Sequence, residues 1–456
     1  RAADGGEVMF DINSSVLMKT VMSCKVANDV DSAKQFLRVA SRHNFDVRTL
    51  DEVAYLQSEV KDYRSCIETL KKCLAAAKSP QETYAIRSNL AKVYNHLNEP
   101  QLSLGYSTAN MHVNQGKDFD TQMEVAFSHY LMGDYATSEA MMRKLNEIAD
   151  LPDQVRGRVL YNLGSYDIER GLFKQGLKGF IDVGHKIGIW KHSETPGVPQ
   201  WDGTPQPGKT LLVHSEGGIG DEIICVRFLK RVKALGMNPV WITGNKSLAE
   251  ALTRCGFECS ADPRVDKNET VQCMAMYLPI LLDLDKHQLW DGPYLTASRE
   301  HVEKWRKLLP EGKKLLCKWS GNPHYEQDLH RSLPIEFIRD LKYDGAKINI
   351  QLEPELDQPD MFNAREHVKS IDDTLAIIEL CDDVVTSCTS VAHMVGSMGK
   401  RGIVCPPIAS YYVWLGMSGN KSDWYGENLR VFRQTKHRDW SLVFDSVQKE
   451  LREGHA

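Results

Sequence analysis

Over residues 187 to 210 the chain changes character, and that change limits what it can fold into. Before it, from about residue 12 to 190, proline is scarce and apolar residues recur at helical spacing. The stretch GIWKHSETPGVPQWDGTPQPGKT is dense in proline and glycine and has no period, which marks a flexible boundary between unlike parts. After it, short apolar runs alternate with helical patterns. LLVHS leads through EGGIGD into EIICVRFLKRVKALG; PVWITG, KKLLCKWSG, KINIQLE, DDVVTS and RGIVCPP read as further strands, with LAEALTRCG, IEFIRDL and DTLAIIELC as helices between them. Alternating βα units predict doubly wound parallel sheets. The expected division is helical repeats over 1–190, a linker over 191–210, and two α/β domains over 211–310 and 311–456.

The helical part repeats. VKDYRSCIETLKKCL, LNEPQLSLGYSTANM, MGDYATSEAMMRKLN and RGLFKQGLKGFIDVG each set a turn, then an aromatic or proline, then apolar residues three and four apart. Tyr63, Pro100, Tyr135 and Phe173 lie 37, 35 and 38 residues apart, near the ~34 of a tetratricopeptide unit. A first helix precedes each, as in SNLAKVYNHL, EVAFSHYL and YNLGSYDIER. Stacked helix pairs offer a surface for a protein partner or acceptor and rarely do chemistry.

Composition removes several classes. The chain has 456 residues, 42% hydrophobic and 26% charged, with a net charge of -5, and no apolar run reaches the ~18 residues a membrane span needs. The opening RAADGGEVMF lacks a basic start followed by an apolar core, so no signal peptide is expected and the cytoplasm is the expected compartment; the missing initiator Met suggests a processed end. Eleven cysteines without CxxC spacing fit reduced thiols better than a disulfide frame or zinc cluster. With 56 basic and 61 acidic residues there is no global pull on nucleic acid, although RFLKRVK (227 to 233) and KWRKLLPEGKK (304 to 314) are local basic clusters.

Two glycine- and hydroxyl-rich turns carry the chemistry. In TSCTSVAHMVGSMGKR, Thr386, Ser387, Thr389 and Ser390 crowd hydroxyls and free amides at a helix start, where the dipole and orphan N–H groups favour an anion such as a diphosphate. An ordinary capped helix is the plainer reading. In EGGIGD the glycines sit where the backbone must turn tightly and approach a ligand, and Asp221 follows at the helix start. Asp221 either caps that helix or takes a proton from an acceptor hydroxyl in an inter-domain cleft. The glycine spacing departs from GxGxxG and no acidic residue ends PVWITG, so a dinucleotide site is poorly supported.

Together HSEGGIGDEIICVRFLKRV, LCKWSGNPHYEQDLHRSLP, DDTLAIIELCDDVVTSCTSVAHMVGSMGK and SDWYGENLRVFRQTKHRDWSLVFDSV resemble the tetratricopeptide-containing glycosyltransferases related to heptosyltransferases, and more distantly the O-linked N-acetylglucosamine transferases. The resemblance spans about 211 to 451, with its motifs in order. It implies a GT-B fold: two Rossmann-like domains, acceptor on the first, nucleotide sugar on the second, no obligatory metal, and inversion at the sugar. A nucleotide sugar, a UDP-sugar among the candidates, is then the co-substrate, and no other cofactor is expected. The acceptor is a protein, a glycan, a lipid-linked sugar or a modified nucleic acid. On the resemblance Asp221 is the base, with Gly218 and Gly220 in its turn beside the donor. Ser320, Gly321 and Arg331 approach the donor phosphates or sugar, Thr389 and Ser390 hold the diphosphate, and His393 lies near the ribose. One departure stands out: Cys388 occupies the place where the relatives carry Asp in a VDTS-type turn, which bears on donor choice and on activity.

Other chemistries have weaker anchors. Asp283-Leu284-Asp285 matches the DxD of metal-dependent transferases, but its context LPILLDLDKHQLW is helix or loop, so it reads as surface charge. His324, Glu326, Asp328 and His330 fit no metal template. There is no GxSxG elbow and no Walker A lysine. The alternative to an enzyme is a tetratricopeptide scaffold carrying a degenerate transferase domain.

Overall fold

The computed structural model describes residues 14–454 except 28, 44, 115–117, 191, 264, 324, 326–327 and 418. The chain divides into two compact units, Arg1–Asp134 and Tyr135–Ala456. The division lies inside the helical region, ahead of the proline-glycine stretch.

The first unit consists of helices Ser14–Val26, Val30–Ala40, Val47–Glu59, Tyr63–Ala76, Pro80–His96, Pro100–Asn114 and Phe119–Leu131. Its cores are Leu17, Val21, Leu37 and Val53 in one cluster, and Leu50, Leu70, Leu90 and Tyr94 in another. The second unit continues the pattern with Tyr135–Asn146, Asp153–Glu169 and Phe173–Lys178. Tyr63, Pro100, Tyr135 and Phe173 are each the first residue of a helix. Two positions before each stands a residue in the left-handed region: Lys61, Asn98, Gly133 and Gly171, with φ of 58°, 57°, 85° and 82°. The next amide bonds five residues back: Asp62 to Gln57, Glu99 to Tyr94, Asp134 to His129 and Leu172 to Asp167, at 2.8 to 2.9 Å. That is the Schellman geometry, which satisfies the last carbonyls of one helix and redirects the chain into the next. One turn geometry, used four times, is the physical basis of the repeat.

The second unit also holds two sheets. The first contains β1 (Thr210–His214), β2 (Asn238–Ile242), β3 (Cys259–Ser260) and β4 (Thr270–Met274), all parallel, in the order β3-β2-β1-β4. The second contains β5 (Lys314–Lys318), β6 (Ala346–Asn349), β7 (Phe362–Asn363), β8 (Asp383–Ser387), β9 (Gly402–Cys405), β10 (Lys421–Ser422) and β11 (Gly426–Val431), in the order β10-β11-β9-β8-β5-β6-β7. Only the β10/β11 pair is antiparallel. Counted from β5, the order is 3-2-1-4-5-7-6, a doubly wound 3-2-1-4-5 core with the β10/β11 pair added at its edge; the strand order reverses between β5 and β8, and ligands of such sheets bind outside the carboxyl ends of the strands at that switch point. The chain therefore has the fold class expected: helical repeats followed by two Rossmann-like parallel sheets.

The proline-glycine stretch is no free tether. Gln200 bridges Gln272 of β4, Trp201 N–H bonds the Gln272 carbonyl at 2.7 Å, and Thr195 N–H bonds the Gln272 side chain at 2.7 Å. Trp201 is 3% exposed within the core of both sheets. Trp201→Ala is expected to lower unfolding free energy by about 3–5 kcal/mol, the usual cost of emptying a buried tryptophan site. Denaturant titration of the two-sheet unit reads it.

Candidate active site

Two helix starts define the site. β1 ends at His214, and Gly217, at φ +74°, turns the chain into the Ile219–Val226 helix in a conformation that costs glycine little. Asp221 is the third residue of that helix. Its Oδ2 accepts the Gly218 N–H at 2.8 Å, so the capping role is realised. Its Oδ1 accepts the Tyr411 hydroxyl at 2.8 Å, and Tyr411 belongs to the loop after β9 in the other sheet. Burial raises the Asp221 pKa above the ordinary carboxylate range; the Gly218 N–H and the Tyr411 hydroxyl pull it back, and the Glu216 charge adds to the rise. Burial and the Asp221 charge hold the Tyr411 hydroxyl protonated. Phe180 and Trp190 pack edge-on against the Tyr411 ring, at 6.0 and 6.5 Å.

The second start is the Ser390–Ser397 helix after β8. Thr389 is its N-cap, but the Thr389 hydroxyl makes no capping bond and instead lies 3.3 Å from Thr386 Oγ1. The first amides, Ser390 included, therefore lack the side-chain acceptor that usually serves them. Arg331 reaches this turn from the β5 side: its Nη1 donates to the Cys388 carbonyl at 3.1 Å, its Nε to Asp328 Oδ1 at 2.8 Å, and its guanidinium lies 4.6 Å over the Tyr325 ring. Gly321 N–H bonds the same Asp328 oxygen at 3.1 Å, and a Cβ at 321 would overlap the Arg331 guanidinium, so only glycine lets the loop pass. Ser320 Oγ accepts Gln351 Nε2 at 2.6 Å. Burial pushes the Cys388 thiol up to about 11, so it stays a neutral packing group at physiological pH. Ser320, Gly321, Arg331, Thr389 and Ser390 thus gather at the carboxyl edge of the second sheet.

Gly220 and His393 join the two helices. A Cβ at Gly220 would stand 2.7 Å from His393 Cδ2, so glycine admits the imidazole. His393 stacks on Trp414 at 5.2 Å and lies 2.9 Å from the Tyr425 hydroxyl through Nδ1. It is buried and neutral: burial lowers its pKa to about 3, with Arg227 and Arg331 adding repulsion.

Some neighbours left no clear sequence signal. Tyr411 sits 190 residues from Asp221, beyond any spacing rule. Arg227, read as part of a basic cluster, is 7% exposed and donates to the Ile224, Leu289 and Trp424 carbonyls between the Tyr425 and Tyr294 rings. Elsewhere in the basic clusters Arg231 pairs with Asp291, Lys304 with Asp373 and Arg306 with Glu303. Glu216 Oε1 accepts the Met276 N–H at 2.9 Å, and its Oε2 lies 2.9 Å from His185 Nε2.

The DxD residues behave as surface charge. Asp283 is exposed and pairs with Lys174 at 2.7 Å, and Asp285 caps a short turn over Lys286–Gln288. His330 is buried, and His324 and Glu326 lie outside the described residues. Among the described residues no group of three or more His, Cys, Asp or Glu is arranged to hold a metal ion, and no helix is long and apolar enough to cross a membrane. All eleven cysteines are free.

No family model matches the chain, and no curated protein matches it in sequence. Among solved structures, a mutant of the Thermobaculum terrenum O-GlcNAc transferase is similar over 97% of this chain and 94% of its own at 11% identity, with a TM-score of 0.37. MamA from Desulfovibrio magneticus RS-1 covers 40% of this chain and 98% of its own at 15% identity and a TM-score of 0.30. LpoA from Haemophilus influenzae covers 97% of this chain and 84% of its own at 10% identity and a TM-score of 0.22. Likenesses this distant carry no argument about function, which rests on the site itself.

Proposed function

We propose that the two-sheet unit is an inverting glycosyltransferase that moves a sugar from a nucleoside diphosphate to a hydroxyl acceptor without a metal ion. The diphosphate lies on the uncapped start of the Ser390–Ser397 helix beside Arg331. Asp221 takes the acceptor proton as the acceptor oxygen bonds the anomeric carbon and the bond from that carbon to the diphosphate breaks. Leaving-group charge is met by orphan amides and Arg331, the kind of fixed electrostatic stabilisation that usually dominates. The observation that carries this reading is the pairing of a carboxylate of raised pKa with an uncapped helix start across one pair of packed helices. The helical repeats then hold the acceptor or a protein partner. Melting curves with UDP, GDP, ADP and their sugars test it. A ligand bound only by the folded state adds about 2.7 kcal/mol at a hundredfold excess over its Kd.

One observation favours a second reading, a scaffold that binds without turnover. Both Asp221 oxygens already accept protein hydrogen bonds. A scaffold predicts that Asp221→Asn changes no measured activity, because none exists.

A further inference from the structure

Lys318 ends β5 on the face that carries Leu316, and its register partner across β8 is Thr386, whose hydroxyl touches that of Thr389. It therefore stands at the switch point of the second sheet, under the start of the Ser390–Ser397 helix. Lys318 is 8% exposed, and the three residues before it, Leu315, Leu316 and Cys317, are buried and apolar, with Lys314 at the far end of the strand. Among the described residues no hydrogen bond or ion pair engages its ammonium. An ammonium on a stem buried this deeply is costly unless something negative meets it. The charged groups acting on it are Glu353, Asp328 and Arg331. Of these, Asp328 is taken by Arg331, Gly321 N–H and the Ser332 hydroxyl, and Glu353 accepts the Leu352 N–H. Three sources of positive potential converge there, Lys318, Arg331 and the helix start; Asp328 is committed to Arg331, and Glu353 acts on Lys318 through space without bonding its ammonium.

We propose that Lys318 is a diphosphate-binding residue, its ammonium bonding a phosphate oxygen from the floor of the sheet while Arg331 and the helix amides hold the others. This rests on the donor-site reading above and adds a residue that reading does not require. It also sets an alkaline limit. Burial lowers the Lys318 pKa to about 8, with Arg331 lowering it further and Glu353 and Asp328 raising it. The charge that binds the anion is thus lost as pH rises through that value.

The test is calorimetric titration of the full chain with UDP, GDP and ADP at pH 7 and pH 9, a range above the phosphate pKa near 6. For whichever nucleotide binds at pH 7, the parent Kd should rise about tenfold by pH 9, as one protonated lysine is lost. Lys318→Arg should bind at pH 7 and show no such rise, because guanidinium stays charged. Lys318→Met should bind about tenfold more weakly at pH 7 and be flat with pH; if it fails to fold, Lys318→Arg and the parent profile carry the test. A parent that binds equally at both pH values, with Lys318→Met matching it, overturns the role of Lys318 and leaves the donor site standing. A parent that binds none of the three overturns both.

Discussion

Asp221→Asn should lower sugar transfer by about 10²- to 10⁴-fold, the usual loss when a general base is removed, while nucleoside diphosphate binding stays at the parental level. The amide keeps one acceptor oxygen and the same size, so either the Gly218 N–H or the Tyr411 hydroxyl keeps its partner. It cannot accept a proton from the acceptor. Stability supplies a second readout whose sign is fixed. Burial raises the folded-state pKa of Asp221 above 3.8, so its ionisation opposes folding. The contribution is fully present below pH 3.8 and lost as pH rises through the raised folded value. Asn lacks that loss, and the variant should melt no lower than the parent at pH 7, with its relative advantage shrinking toward about pH 4. Near-parental transfer by the variant would remove Asp221 from the mechanism and turn attention to Glu216, His330 and His324.

Ser390→Asp should abolish the melting shift produced by a bound nucleoside diphosphate, which is about 2.7 kcal/mol at a hundredfold excess over Kd. Alanine at Thr389 and Ser390 is a weaker test than the fold class alone suggests. The Thr389 hydroxyl is turned to Thr386, and apart from the Ser390 hydroxyl the donors left for an anion are backbone amides that alanine retains. A carboxylate at the first helical position occupies those amides itself and repels the phosphates, while adding about 0.3–1 kcal/mol through the helix dipole. The unliganded variant should therefore melt at or slightly above the parental temperature and show no response to nucleotide. A parental response in Ser390→Asp would place the diphosphate elsewhere.

Local rules made much of the fold legible. The aromatic and proline residues at 63, 100, 135 and 173 mark helix starts because each follows a left-handed turn residue that ends the helix before it. Strand β4 has no sequence signature: TVQCM is short and buried at every position, so it shows neither alternation nor helical period. The Asp221 turn and the Thr389-Ser390 helix start could be found because glycine and hydroxyl residues punctuate the chain. The partners that define their chemistry could not, since Tyr411 meets Asp221 only through the packing of one sheet against the other. His393, assigned to the ribose by resemblance, lies between Trp414, Tyr425 and Gly220. A histidine three residues into an apolar helix gives no sign of which neighbour will claim it. Lys318 was visible in principle, because a lysine inside LLCKW contradicts a buried strand unless its charge has a use.

The most direct measurement is release of nucleoside diphosphate from a panel of nucleotide sugars by the full chain in the presence of a chelator, run beside Asp221→Asn. A glycosyltransferase of the kind proposed releases diphosphate above the buffer rate with at least one sugar, keeps that rate under chelation, and loses it by about 10²-fold or more in the variant. Equal release by parent, variant and buffer across the panel, with no melting shift for any nucleotide, would contradict it and leave the scaffold.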